Sequence, residues 1–280
     1  MTQKLDFPEE VIRRLNYLCK TYDTYTRASV ATQNRLQALK GVRKEETKRF
    51  EDVAVLERHK DKLKREIIPE LEFFPVWTEW LTKVLGIGPV FGGHLIIDYY
   101  FRFVPICSSC GKDLIEKKKK LICSSCDKPA KRNGPMKTRI EMRDFATPSR
   151  WLSIRGELIV NGKKPKPIEG VKLSYDPKAQ SLDSQIGESF KKQKGSLYQE
   201  EYERLLVKGE KKYPDKTPKH RRNIARHMLV KLFLCHFWEV ARTLDGKSTT
   251  RPYPIVIQGH TNYIPPFYWT PPNKEEESKS

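Results

Sequence analysis

Four cysteines constrain this chain more than any other feature. They stand as "CSSC" at Cys107–Cys110 and "CSSC" at Cys123–Cys126, two Cys-x2-Cys pairs separated by twelve residues. Each pair can form a knuckle, and two knuckles can close a tetrahedral thiolate site around Zn²⁺. Gly111, directly after the first pair, suits the tight turn of such a knuckle. An iron–sulfur cluster is the alternative occupant. Four thiolates leave no open coordination position, so the spacing predicts a structural site and not a catalytic one. Cys19 and Cys235 are isolated. In a reducing cytoplasm the cluster reads as metal ligands rather than as disulfides.

The same segment is rich in charge. Lys117, Lys118, Lys119 and Lys120 lie between the two pairs, and residues 105–175 hold 17 Lys and Arg against 7 Asp and Glu. The whole chain carries 54 Lys and Arg against 35 Asp and Glu, a formal net charge of +19. A surplus of that size points to a polyanionic partner, with nucleic acid first among them. The opening "MTQKLDFPEEVIRRL" shows no apolar signal region, and no window approaches the roughly 18 apolar residues of a membrane span. No membrane partner is expected, and the chain is expected inside the cell.

Hydrophobic spacing predicts a fold that is mainly α with a small α+β portion. Residues 1–68 read as a helical arm. Val11, Leu15 and Leu18 follow Asp6 and two glutamates, and Phe50, Val53, Leu56 and Leu63 recur at near-heptad spacing. An antiparallel helical pair or a coiled-coil dimerisation arm fits, as does a solvated helix packed by one stripe. Pro69 and Pro75 interrupt the pattern. Residues 69–250 then form the main domain, with a helical pair over 76–100 and the cysteine ribbon inserted at 105–135. Residues 145–190 look mixed, with "ELIV" as a strand candidate, and helices are expected at 197–208 and 217–245. Residues 251–280 form an extended proline-rich tail.

Between the two helices of the pair stands "LGIGP", with Gly86 and Gly88 alternating with apolar residues. Glycine lets the backbone turn at positive φ and approach a ligand. Pro89 suits the first helical turn, whose amides can bind a phosphate. The pattern resembles a helix–hairpin–helix motif, which holds a DNA backbone without reading bases. A plain turn between packed helices needs the same residues. Gly92 and Gly93 would let the second helix pack closely on the first.

"TPKHRRNIARHMLVKLFLCHFWEVARTL" opens with Thr217 as N-cap and Pro218 behind it. Leu229, Phe233 and Phe237 make one apolar stripe; Ile224, Met228, Leu232 and Cys235 make another. Lys219, Arg222 and Arg226 share one face near its start and are candidate DNA contacts. His220, His227 and His236 do not show the spacing of a helical metal pair. His260 is a candidate substrate contact or a structural histidine.

Together, "LTKVLGIGPVFGGHLIIDY", "SRWLSIRGEL" and "KHRRNIARHMLVKLFLCHFWEVAR" resemble the C-terminal half of the insertion-sequence transposases that join an acidic, ribonuclease-H-like nuclease domain to a serine-bearing C-terminal domain. The resemblance covers roughly residues 76–245, with the cysteine ribbon as an insert. The ending "RPYPIVIQGHTNYIPP" is similar to that of short stand-alone proteins grouped with that family. The resemblance implies DNA binding, DNA transposition and recombination, homo-oligomers and a structured guide RNA as partner. It also implies the cytoplasm of a prokaryotic cell, in association with the nucleoid. Two departures accompany it. The acidic domain, with its four carboxylates around Mg²⁺, has no counterpart here. The family's Ser-Gly pair is replaced by Glu169–Gly170, leaving Ser174 as a displaced candidate nucleophile. Lys166, Lys172 and Arg150 are candidates to activate it, and Arg150 is also a candidate DNA contact. The alternatives to a transposase-like enzyme are a catalytically inactive or domesticated DNA- or RNA-binding protein, and a structural or ribosome-associated basic protein.

Overall fold

The computed structural model describes residues 7–39, 43, 45–117, 120–127, 129, 137–159, 164–165, 169–171, 173–249 and 263–271. The chain is mainly helical with a small sheet portion, and it divides into two compact units, 95–144 and the remainder.

In the larger unit, helix α1 (Glu9–Gln37) starts with Glu9 and Glu10 in its first turn and ends with Arg35 in its last, charges that suit the helix dipole. Helix α2 (Glu51–Leu71) runs back along it. The direction follows from the contacts: Arg14 meets Glu70 at 3.1 Å, and Ser29 donates to Glu57 at 2.6 Å. Val11, Ile12, Leu15, Leu18 and Cys19 bury one stripe of α1 against Leu63, Ile67 and Leu71. Toward the far end the seam becomes polar, with Tyr25 stacked on His59 and Lys60 and Lys64 over the Tyr22 ring. The arm is thus an antiparallel pair within one chain. Of the near-heptad residues, Val53 and Leu63 are buried and Phe50 is 41% exposed. Pro69 lies inside α2, which continues to Leu71.

The segment expected as one helix before Gly86 is broken. Helix α3 (Pro75–Glu79) stops at Trp80, and a 3-10 turn over Leu81–Lys83 follows. The break turns successive large residues into one core: Val76, Trp77, Trp80, Leu81 and Val84 are all buried. Helix α4 (Pro89–Tyr100) then crosses this region. A Cβ on Gly92 would lie 2.5 Å from the Trp77 ring, and one on Gly93 would lie 2.6 Å from Cys19 Sγ. The two glycines therefore admit α3 on one side and α1 on the other.

After helix α5 (Pro148–Ile154), residues 157–159 form no strand, contrary to expectation for "ELIV", whose Val160 lies outside the described residues. The reason is burial of a carboxyl group: Glu157 is 1% exposed and turns inward to the Lys164 ammonium and the His227 imidazole. Helices α6 (Pro177–Phe190), α7 (Leu197–Lys212) and α8 (Pro218–Leu244) begin at Asp176, Ser196 and Thr217, and each cap side chain accepts a backbone N–H. Helix α8 is the hub, touching α3, α5, α6 and α7. Its Leu229, Phe233 and Phe237 are fully buried, while Met228 of the second stripe is 42% exposed. Trp80 and Trp151 stack on Phe233 and Phe237, and Phe190 stacks on Tyr198.

A buried pair fixes α5 to α6. Arg155 and Asp183 are both fully buried, with Nε 2.9 Å from both carboxylate oxygens and Nη2 2.5 Å from Oδ1. A second polar set ties down the chain at Tyr263–Pro271. His236 contacts the Ile264 carbonyl through Nε2 at 3.0 Å and Tyr198 Oη through Nδ1 at 2.9 Å, and Trp80 donates to the Phe267 carbonyl at 2.7 Å.

Among the described residues, the smaller unit holds four strands. Strands β1 (Phe101–Pro105) and β4 (Thr138–Met142) pair antiparallel, with Phe103 opposite Ile140. Strands β2 (Leu114–Lys117) and β3 (Lys120–Cys123) form a second antiparallel ribbon, with Leu114 opposite Cys123. No helix of the described residues is long and apolar enough to cross a membrane.

Candidate metal centre and nucleic-acid interface

The cysteine pairs sit at matching places in the ribbon. Cys107 follows β1, and Cys123 ends β3. In each knuckle the residue after the second cysteine has positive φ: Gly111 at 71° and Asp127 at 52°. In each, that residue's amide donates to the carbonyl of the first cysteine, at 2.9 Å from Gly111 and 3.2 Å from Asp127. The two knuckles thus repeat one geometry, with glycine in one and aspartate in the other.

This repetition brings the four sulfurs together, all within 4.8 Å of one another. Sγ separations are 3.4 Å for Cys110–Cys123, 3.7 Å for Cys107–Cys126 and 3.9 Å for Cys110–Cys126. These are too long for a disulfide, whose sulfurs lie about 2.05 Å apart, and none of the four cysteines is in one. Backbone amides prepare the thiolates. The Cys110 and Ser109 amides pull the Cys107 thiol down to about 6, and the Cys126 and Ser125 amides lower Cys123. Cys110 moves up: the Lys112 amide lowers it, but the Cys123 and Cys107 sulfurs and desolvation outweigh that pull. Four close thiolates could hold a metal ion. Among the described residues, the two buried thiols pack with Leu114 and with the partly buried Leu121 and Cys126.

At the hairpin, the two glycines take different roles. Gly86 has φ 99°, and its carbonyl accepts from Ser189 Oγ of α6 at 2.8 Å. A Cβ there would press on Gln193, Phe190 and Ser189 at 3.1–3.2 Å. Gly88 has ordinary φ, is exposed, and a Cβ on it would meet nothing within 4 Å. It stands directly before α4, whose first-turn amides have no intrahelical acceptor. Lys83 and Leu85 are exposed beside it. A recess of about 430 Å³ opens at this helix start, lined by Phe91 of α4, Lys192, and Arg226 of α8.

The remaining predicted residues scatter. Lys219 and Arg226 line a larger cleft along α8, with Arg226 held to Glu188 at 2.6 Å. Arg222 is exposed and donates to the Pro218 carbonyl at 3.3 Å. Arg150 is exposed on α5 and lines neither recess. Lys117 and Lys120 end the two ribbon strands; Lys118, Lys119, Lys166, Lys172 and His260 lie outside the described residues. Ser174 is exposed in a bend beside buried Tyr175, lines neither recess, and its side chain has no hydrogen bond among the described residues.

Sequence reasoning missed one cluster. Glu157 accepts from Lys164 Nζ at 2.7 Å, and its Oε2 lies 2.6 Å from His227 Nδ1. Burial lowers His227, and Glu157 offsets this in part. No local pattern links positions so far apart. The interleaved "KKYPDK" at residues 211–216, by contrast, was a readable basic–aromatic signal. Set against protein-family models, curated proteins and solved structures, the chain matches none of them.

Proposed function

We propose that this chain is a DNA-binding protein acting in transposition or recombination of a mobile element, and that its cysteine site holds zinc. The observation that carries the DNA reading is the division of labour in the hairpin. Gly86 is locked by α6, so the turn is rigid; Gly88 leaves the start of α4 bare. A rigid, glycine-fronted helix start on a chain of net charge +19 suits a phosphate backbone. The mobile-element assignment rests on the transposase-like order of the motifs around this hairpin.

Zinc fits the sulfur spacing. A tetrahedral site with Zn–S of about 2.3 Å has sulfurs about 3.8 Å apart, beside the 3.4–3.9 Å found. Bound there, the ion supplies a cross-link for the ribbon and no catalysis, since all four positions are taken by thiolates.

The test is duplex binding by Gly88→Glu. Because a side chain at Gly88 meets open space, the fold should survive, and affinity should fall at least tenfold for every duplex sequence alike. An unchanged affinity, or a loss confined to one sequence, refutes hairpin contact with the backbone. Gly86 is the wrong position for this test, because any side chain there strains the turn.

A second reading, binding without strand cleavage, is favoured by Ser174. A serine nucleophile needs a base or cation beside it, and none contacts Ser174 among the described residues. Strand cleavage with Mg²⁺ that disappears in Ser174→Ala would overturn this second reading. A homo-oligomer and a structured guide RNA remain part of the transposase-like proposal.

A further inference from the structure

The larger cleft is a different kind of surface from the hairpin. It holds about 1010 Å³ between α8, the turn at Tyr213–Thr217, residues Glu157, Ile159 and Lys164, and the middle of α6. That is at the top of the range of pockets that hold drug-sized molecules, so more than one nucleotide fits.

Its charge is one-sided. Lys216, Lys219 and Lys231 line it and have no ion pair among the described residues. Its two carboxylates are already used: Asp183 by Arg155, and Glu157 by Lys164 and His227. The cleft therefore offers cations and no free anion among the described residues. Its walls are also apolar. Ile159 and Met228 are each 42% exposed there. Half-buried Tyr213 lines the same place, with Lys212 and Lys216 ammonium groups 5.5 and 5.7 Å from its ring centre.

Lysines beside an accessible aromatic ring and bare apolar side chains match a ligand with both phosphates and exposed flat rings. A duplex keeps its base faces stacked inside and offers phosphates alone. An acidic peptide would use the lysines and leave the Tyr213 face idle. A single strand uses both. Ser184 and Arg226 line this cleft and also the recess at the α4 start, so a strand leaving the cleft passes Arg226 toward the hairpin.

We infer that the cleft along α8 is a binding site for single-stranded nucleic acid, with Lys216, Lys219 and Lys231 on phosphates and Tyr213 as a stacking platform. The site stands on its own residues, independent of whether the hairpin holds a duplex. DNA and RNA strands share this chemistry.

The experiment measures polarisation of fluorescein-labelled oligo-dT and oligo-U of about 15 nucleotides with the full-length, metal-loaded chain. Tyr213→Ala should weaken binding roughly tenfold, as expected for the loss of one stacked base. The double variant Lys219→Glu with Lys231→Glu should abolish it. Binding of oligo-dT, oligo-U or both, lost in these variants, supports the site and tells which strand it takes. Full affinity in Tyr213→Ala, or competition by polyglutamate or blunt duplex as effective as by oligo-dT, overturns it. The lysine pair lies on the surface of α8 and keeps the test decisive if Tyr213→Ala misfolds.

Discussion

Acid should weaken the fold through His236, by an amount that can be worked out in advance. The imidazole is 1% exposed. The Ile264 carbonyl can only accept, so Nε2 carries the proton and Nδ1 accepts from the Tyr198 hydroxyl. The ring is therefore buried neutral. Burial pushes its pKa down to about 4, with the Ile264 carbonyl offsetting part of that. An unfolded chain protonates histidine near 6.5. Because the folded value is depressed, the contribution is present above about 6.5 and is lost as pH falls toward 4. The two values give a loss of about 2 kcal/mol by pH 5 and about 3 kcal/mol by pH 4, relative to pH 7. Urea unfolding of wild type and His236→Gln across this range isolates the effect, since both share every other titrating group. The wild-type curve should fall more steeply with acid by that margin. Parallel curves would show that His236 is not buried neutral and that the Tyr263–Pro271 segment is anchored some other way.

Three further outcomes are expected. Asp183→Ala leaves the fully buried Arg155 guanidinium without its carboxylate and should cost about 3–5 kcal/mol in chemical denaturation, whereas Arg155→Met with Asp183→Leu should cost far less. Metal analysis should find one tightly held ion, absent from Cys107→Ser with Cys123→Ser. Chelation should open residues 105–137 to proteolysis while the larger unit stays intact, and the ion should leave more readily as pH falls, because protons compete with it for the thiolates.

Local signals in the sequence marked the elements well where one chemical rule acts over a few residues. The two Cys-x2-Cys pairs sit in matching knuckles, Thr217 and Pro218 open α8, and Leu229, Phe233 and Phe237 form its buried stripe. Where two distant positions decide the outcome, the local signal misled. The "ELIV" stretch reads as a short strand candidate, but Glu157 is drawn inward to Lys164 and His227. The stretch before Gly86 has helical spacing, but it breaks at Trp80 because the indole is stacked on Phe233 of α8 and tied to Phe267. Periodicity cannot encode a partner that far along the chain. The same holds for the glycines: Gly86 and Gly88 look equivalent in "LGIGP", and only the contact with Ser189 separates a clamp from an opening.

The arrangement of charge joins the two proposed sites. A chain with a surplus of 19 cations repels itself and needs its carboxylates where they relieve the most strain. Here Glu188 pairs with Arg226 and Lys191, Glu157 with Lys164 and His227, and Asp183 with Arg155, and all three carboxylates line the recesses. Lys216, Lys219 and Lys231, which share the cleft, have no such relief among the described residues. A set of like charges left facing one another costs folding energy unless an outside anion neutralises it. A phosphate chain in the cleft would remove that cost, so the fold itself favours the occupant that its lysines select.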